Sequence, residues 1–224
     1  MTDLKTLVKN KEVVLFDMDG TLVNTEPLHA QAAVLVLDSL GVKVDLLSCI
    51  DQFYGMTDFV VIQSVCPNMS EAEIHFAIEQ KNKELINIFR QLSPNEKESY
   101  LTPGIIDFLH HLRHLNKKCA VVSASEDIIV DETLACFGLD QFMQLQMGRN
   151  QTTLTKPHPD PYIEAMKRLK VTPEETLIFE DSPTGIKAAT LSRAQVVRIT
   201  EFSHGNSSQK FEGNFIELVN FTAF

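Results

Sequence analysis

The sequence predicts an α/β fold, a doubly wound parallel sheet with helices on both faces and an inserted helical domain. Two observations lead to this prediction. Short apolar runs alternate with amphipathic helical segments, which is typical of parallel sheets. Residues 25–97 interrupt this alternation directly after the first strand, and no strand is predicted between residues 44 and 92. We therefore expect a core made of residues 1–24 and 98–224, with residues 25–97 as the helical insert.

The first strand is predicted for Val13–Phe16, four apolar residues that run directly into Asp17 and Asp19. Gly20 supplies the turn that ends this strand. Because the two carboxylates are two residues apart at a strand end, they would point toward the same side. Carboxylates that close repel each other unless a cation or a proton lies between them. An Asp-x-Asp pair alone is a weak signal, which a cation site without catalysis would also explain.

The insert is predicted to be helical. A first helix opens at residues 25–27, where Pro27 suits the first turn, and Gly41 closes it. Ser70 and Glu73 form a capping-box pattern ahead of a further helical stretch. A polar break at residues 93–96 is the predicted linker back to the core.

The core resumes with alternating helices and strands. The predicted segments are a helix over residues 105–115, a strand over 119–123, a helix over about 127–137, a strand over 176–179, a helix after Pro183 and a last strand over 195–199. In such sheets the ligand site lies outside the carboxyl ends of the strands. Polar residues stand at these ends, namely Asp17, Asp19, Ser123, Glu180 and Asp181. The sequence therefore concentrates polar chemistry where the fold places a ligand.

Composition disfavours several classes of protein. The 224 residues carry a formal net charge of −10, and no basic stretch could neutralise the phosphates of a nucleic acid. No apolar run reaches membrane-spanning length, and the first residues lack a signal-peptide core. The four cysteines lie without metal-ligand spacing, as expected for reduced thiols in a cytoplasmic protein. We expect no nucleic-acid or membrane partner, and a monomer or a weak dimer.

Four motifs follow one another along the chain. They are Asp17-Met18-Asp19-Gly20-Thr21-Leu22-Val23, Ser123-Ala124-Ser125, Lys156-Pro157-His158-Pro159-Asp160 and Glu180-Asp181-Ser182-Pro183-Thr184-Gly185. Together they resemble the motifs of the haloacid dehalogenase superfamily, whose core is a Rossmann-like sheet. More narrowly, the chain resembles the β-phosphoglucomutase-like branch, whose members carry a helical cap between the first and second motifs. Each motif alone is a modest signal, but the four in register cover nearly the whole chain.

The resemblance implies phosphoryl transfer through an aspartyl-phosphate. It assigns Asp17 as the nucleophile and Asp19 as the general acid and base. It also implies a Mg²⁺ ion, a hard cation that prefers oxygen ligands. This ion would be held by the Asp17 carboxylate, the Asp19 carbonyl and Asp181. Glu180 would contribute directly or through water.

The resemblance also implies residues that bind the phosphoryl group and the rest of the substrate. Ser123 and the Ala124 amide would bind the transferring group, and Lys156 would pair with that group and with Asp17. In the mutase branch, a histidine at the position of His29 helps to couple cap closure to the acid/base aspartate. The residues expected to act in the cap or near the substrate are His29, Gly55, Thr57 and Ser125.

The sequence departs from the mutase where the mutase holds the phosphate that is not transferred. Asp58 stands where the mutase has a basic residue, and Glu126-Asp127 stand where it has a Lys-Asn pair. Like-charge repulsion would weaken the binding of a second phosphate. We therefore expect a magnesium-dependent phosphatase of a small phosphorylated metabolite, with a sugar phosphate as the expected class. A phosphosugar mutase and a non-catalytic phospho-acceptor or binding module stay open as alternatives.

Overall fold

The computed structural model describes residues 4–47, 49, 57–202 and 211–222. The chain divides into two compact units, residues 1–24 with 97–224 and residues 25–96. In chain order the elements are α1 Leu4–Val8, β1 Val13–Phe16, α2 Glu26–Ser39, α3 Asp58–Val65, α4 Glu71–Gln91, α5 Pro94–Tyr100, α6 Ile105–His114, β2 Lys118–Val122, α7 Asp127–Cys136, β3 Leu145–Met147, α8 Asp160–Leu169, β4 Thr176–Glu180, α9 Pro183–Leu191, β5 Gln195–Ile199 and β6 Ile216–Leu218.

Within the described residues, the first unit is built on a parallel six-stranded sheet with the order β3-β2-β1-β4-β5-β6. The central strand β1 is fully buried, as expected where helices cover both faces of a parallel sheet. Alternate residues of β1 therefore pack on opposite faces. Val13 and Leu15 join a cluster that contains Tyr162, while the Phe16 ring stacks on Phe179 with centroids 5.3 Å apart.

The second unit contains α2, α3 and α4, with α5 spanning its boundary with the first unit. The capping box at the start of α4 is confirmed, because the Ser70 side chain accepts from the Glu73 amide and the Glu73 carboxylate accepts from the Ser70 amide. Ile74 and Ile78 of α4 pack in one cluster with Val36 of α2. Spacing of three or four residues places such side chains on one helix face.

The two units divide at the end of the predicted linker, residues 93–96, where Ser93 and Glu96 also form a second reciprocal cap that starts α5. The predicted doubly wound sheet is confirmed, and two details of its strands were wrong. Strand β5 is not the last strand, because β6 pairs beyond it. Strand β3 was missed at the other edge of the sheet. Both missed strands have three residues, too few for a hydrophobic period to be recognised.

No helix in the described part of the chain is long and apolar enough to cross a membrane. The four cysteines, Cys49, Cys66, Cys119 and Cys136, are free thiols.

Candidate active site

Three neighbouring strands bring the predicted site residues of the first unit together. Asp17 follows β1, Ser123 follows β2, and Glu180 ends β4. Because β2, β1 and β4 are adjacent and parallel, their carboxyl ends lie side by side. Backbone bonds extend the ladder to these residues, since the Asp17 amide donates to the Phe179 carbonyl at 2.9 Å and the Ser123 amide donates to the Met147 carbonyl at 2.9 Å.

Lys156 is the ammonium at the centre of this edge. Its Nζ donates to Asp17 Oδ1 at 2.6 Å, to Glu180 Oε1 at 2.7 Å and to the Val122 carbonyl at 2.8 Å. These three acceptors use the three hydrogens of a lysine side chain. Burial by itself would lower the pKa of Lys156, but the charges of Asp17 and Glu180 outweigh it and raise that pKa above its ordinary value. Lys156 is therefore a fixed positive charge against Asp17.

Glu180 is completely buried, and protein donors hold both of its carboxylate oxygens. Oε1 accepts from Lys156 Nζ at 2.7 Å and from the Tyr162 hydroxyl at 2.8 Å. Oε2 accepts from the Asp181 amide at 3.0 Å, and from the amide and hydroxyl of Ser182, both at 3.2 Å. A buried carboxylate needs such partners, because leaving a charge unsolvated is costly. The position of Glu180 is thus fixed from several elements at once.

The acidic residues at this edge form a cluster suited to a cation. Oxygen atoms of Asp17, Glu180 and Asp181 lie within 4.8 Å of one another. Burial and the charge of Glu180 raise the pKa of Asp17 from 3.8 to about 8, although Lys156 offsets part of the rise. Desolvation and the charges of Asp17 and Glu180 raise the pKa of Asp181 well above its ordinary value. Hard oxygen donors and uncompensated negative charge fit a divalent metal ion.

The loop after β1 holds Asp181 in this cluster. Thr21 is fully buried, and its Oγ1 donates to Asp181 Oδ1 at 3.1 Å. Gly20 has φ +84°, and a Cβ atom there would lie 2.2 Å from Asp181 Oδ2. Only glycine meets both conditions, because other residues rarely adopt this φ and would strike the carboxylate. Gly20 is therefore required by the site as well as by the turn.

The second motif contacts the second aspartate of the first motif. Ser125 Oγ donates to Asp19 Oδ2 at 3.0 Å, and the Ser125 amide donates to Ser123 Oγ at 3.0 Å. Ser123 is buried, while Ala124 between them is exposed. The turn after β2 thus places a hydroxyl on Asp19, a contact that the sequence did not predict.

The cap residues predicted from the resemblance lie in the second unit. His29 Nδ1 is 2.7 Å from Lys81 Nζ. Thr57 caps α3, since its hydroxyl oxygen accepts from the Val60 amide at 3.4 Å. Gly55 lies outside the described residues.

Two of the acids that distinguish this chain from the mutase, Asp58 and Asp127, have partners inside their own units. Asp58 Oδ2 accepts from Lys81 Nζ at 3.0 Å, and the Lys81 side chain is 2% exposed. Asp127 Oδ1 accepts from the Gly148 amide at 2.9 Å and from Gln151 Nε2 at 3.3 Å. The negative charge expected from Asp58 is therefore balanced by a buried lysine.

Sequence reasoning missed three side chains that hold the acidic cluster, which are Thr21, Tyr162 and Ser182. Ser182 had a local signal, because its hydroxyl oxygen caps α9 by accepting from the Gly185 amide at 3.0 Å. Thr21 lay within a recognised motif without an assigned role. Tyr162 had no local signal, since its partner Glu180 is 18 residues away.

Known proteins resemble this chain in sequence and in fold. A family model described as haloacid dehalogenase-like hydrolase matches residues 14–199. A phosphorylated carbohydrates phosphatase of Thermotoga maritima is 30% identical over 215 residues, which cover 93% of this chain and 94% of that protein. The fructose-1-phosphate phosphatase YqaB of Escherichia coli is 26% identical over 187 residues, which cover 83% of this chain and 95% of that protein.

A solved structure shares the fold. The crystal structure of CbbY from Rhodobacter sphaeroides in complex with phosphate matches with a TM-score of 0.80 at 23% identity, covering 94% of this chain and 95% of that one. The resemblance drawn from the four motifs, and with it the prediction of a hydrolase of this superfamily, is confirmed. The chain belongs to the haloacid dehalogenase-like hydrolase family.

Proposed function

We propose that this protein is a magnesium-dependent phosphatase that hydrolyses a small phosphorylated metabolite through an aspartyl-phosphate. The observation that carries the proposal is the contact of Asp17 with the buried Lys156 ammonium beside the acidic cluster. A carboxylate held this way can act as a nucleophile toward an anionic phosphoryl group only where positive charge offsets the repulsion. The phosphatase names of the relatives support this class of reaction.

In the proposed mechanism, a carboxylate oxygen of Asp17 attacks phosphorus, and the bond from phosphorus to the ester oxygen breaks. Asp19 donates its proton to the departing oxygen. Asp19 then takes a proton from a water molecule that attacks the phosphorus of the aspartyl-phosphate. This second step releases inorganic phosphate and restores the Asp17 carboxylate. Ser125 acts here by orienting Asp19, through the hydrogen bond of 3.0 Å between Ser125 Oγ and Asp19 Oδ2.

The residues that would hold Mg²⁺ are Asp17 and Asp181 through their carboxylates and Asp19 through its carbonyl. The ion supplies positive charge that lowers the pKa of the acids and stabilises the transferring oxygens. Glu180 already accepts five hydrogen bonds from the protein, so its proposed role is to hold Lys156. Glu180 would at most contact the ion through a water molecule.

The phosphoryl group itself is proposed to bind to Ser123, the Ala124 amide and Lys156. The second unit would select the rest of the substrate, with His29, Gly55 and Thr57 as the residues concerned. The carbohydrate phosphatases among the relatives favour a sugar phosphate as the substrate class. Because Asp58 is paired with Lys81, the second unit offers less free positive charge for a second phosphate. This pairing favours hydrolysis of a monophosphate over a mutase reaction.

The test is phosphate release from a panel of sugar and small-metabolite monophosphates, with Mg²⁺ or with EDTA. Wild type should release phosphate only with the metal, and Asp17→Asn should release none. Asp131→Asn is the matched control, because Asp131 is exposed on α7. Isomerisation of a hexose phosphate only when a sugar bisphosphate is added would indicate the mutase. Absence of both phosphate release and isomerisation would contradict the proposal and would indicate a binding role.

A further inference from the structure

The buried hydroxyl of Tyr162 is not used by the mechanism above. Tyr162 lies in the first turn of α8, six residues after Lys156, and its side chain is completely buried. The hydroxyl donates to Glu180 Oε1 at 2.8 Å. The ring of the same residue lies under Lys156, with Nζ 4.9 Å from the ring centroid. One side chain therefore contacts both members of the Lys156–Glu180 ion pair.

The hydroxyl affects how Lys156 is shared between two carboxylates. Glu180 Oε1 accepts from both Lys156 and Tyr162, whereas Asp17 Oδ1 accepts from Lys156 at 2.6 Å. A hydrogen bond from the tyrosine withdraws negative charge from Oε1 and so weakens the pull of Glu180 on the ammonium. Without the hydroxyl, Oε1 would depend on Lys156 alone and would draw it away from Asp17.

The hydroxyl can only act as a donor here. Glu180 Oε1 is a carboxylate oxygen with no hydrogen to donate, so the hydroxyl gives its own hydrogen to that oxygen. Its donation to Oε1 complements the amides of Asp181 and Ser182 on Oε2. The carboxylate plane of Glu180 is thus fixed from two sides, and Lys156 is placed by that plane.

We propose that Tyr162 is a positioning residue that acts through Glu180 to keep Lys156 on Asp17. This inference rests on the proposed function, because the placed ammonium matters for transfer to Asp17. Lys156 shares the binding of the phosphoryl group with Ser123 and the Ala124 amide, whereas among the described side chains it alone offsets the charge of the reacting carboxylate, so a shifted ammonium affects the transfer step more than substrate binding. Loss of the hydroxyl should therefore lower kcat and leave KM nearly unchanged.

The test compares Tyr162→Phe with the wild type in hydrolysis of p-nitrophenyl phosphate with Mg²⁺. We expect kcat to fall about 10-fold with KM changed by less than about 2-fold, in line with a charged hydrogen bond used in the transition state. Tyr100→Phe is the matched control, because it removes the hydroxyl of a partly buried tyrosine whose ring packs on Phe137. It should behave as the wild type.

A double-mutant cycle with Glu180→Gln separates positioning from simple stabilisation of the fold. If Tyr162 acts through Glu180, adding Tyr162→Phe to Glu180→Gln should change kcat by less than about 2-fold. The same cycle measured as the free energy of unfolding in EDTA should also show coupling, and it requires no turnover. Additive effects in both cycles would overturn the proposal, as would an unchanged kcat in Tyr162→Phe.

The outcomes also separate this proposal from the function it rests on. If the wild type and Tyr100→Phe both release phosphate and Tyr162→Phe matches them, only the positioning role fails. If the folded wild type releases no phosphate from p-nitrophenyl phosphate or from the metabolite panel, the proposed function fails, and the positioning role fails with it.

Discussion

Replacing Gly185 by alanine should destabilise the protein, against the usual rule for a helix. Gly185 lies in the first turn of α9, and alanine in place of glycine inside a helix normally stabilises by up to about 1 kcal/mol. At this position a Cβ atom would lie 1.7 Å from Glu180 Oε1 and 2.2 Å from Oε2. No side-chain rotation of alanine can relieve such a contact, so the carboxylate must move.

The expected loss in the free energy of unfolding follows from the hydrogen bonds that Glu180 would lose by moving. Its carboxylate is fully buried and accepts hydrogen bonds from Lys156, Tyr162, Asp181 and Ser182. Breaking a buried ion pair by displacing one partner costs about 3–5 kcal/mol. Subtracting the helical gain leaves a net loss of about 2–4 kcal/mol in the free energy of unfolding. Phosphate release should fall as well, because Lys156 loses one of its three acceptors.

The assay is urea denaturation of the metal-free protein, followed by circular dichroism. Thr184→Ala is the matched control, since Thr184 is the exposed neighbour in the same helix turn, and its free energy of unfolding should change by less than about 0.5 kcal/mol. A Gly185→Ala protein as stable as the wild type, or more stable, would refute the reasoning. Such a result would mean that the position of the Glu180 carboxylate does not depend on the close approach of Gly185.

Three further predictions concern the metal, the acid/base group and the second unit. Because the pKa of Asp17 is raised from 3.8 to about 8, the metal-free folded state keeps a proton that the unfolded chain loses. The stability of the metal-free protein should therefore decrease as the pH rises from 3.8 to about 8. Mg²⁺ should raise the melting temperature more at about pH 8 than at about pH 5, and an equal increase at the two pH values would contradict this expectation. Ser125→Ala should lower kcat about 10-fold by releasing Asp19 while phosphate affinity in calorimetry stays unchanged; an unchanged kcat would exclude this role for the hydroxyl. Asp58→Asn should lower the free energy of unfolding, measured by urea denaturation, by about 1–3 kcal/mol, because the buried Lys81 loses its charged partner. An unchanged free energy of unfolding would show that Lys81 does not need the Asp58 charge.

The sequence alone was sufficient for the parts of the fold and the site that have local causes. The apolar run Val13–Phe16 predicts a strand, because a short run of apolar β-formers that leads into a glycine turn suits a strand covered on both faces. The polar residues after each strand then fall at one edge, because parallel strands end together. This rule is sufficient to place Asp17, Ser123 and Glu180 close together.

Only the tertiary structure could decide how those side chains share hydrogen bonds. Lys156 meets Asp17 across 139 residues of chain, and Tyr162 meets Glu180 from a different element. No local pattern encodes such contacts, because each depends on strand register and on how far a helix turn approaches the sheet. The same holds for Asp58, whose apparent negative charge is balanced by a lysine 23 residues later. The sequence determined which charged groups are present, and the packing determined which of them neutralise one another, since Coulomb and hydrogen-bond energies depend on distance and burial.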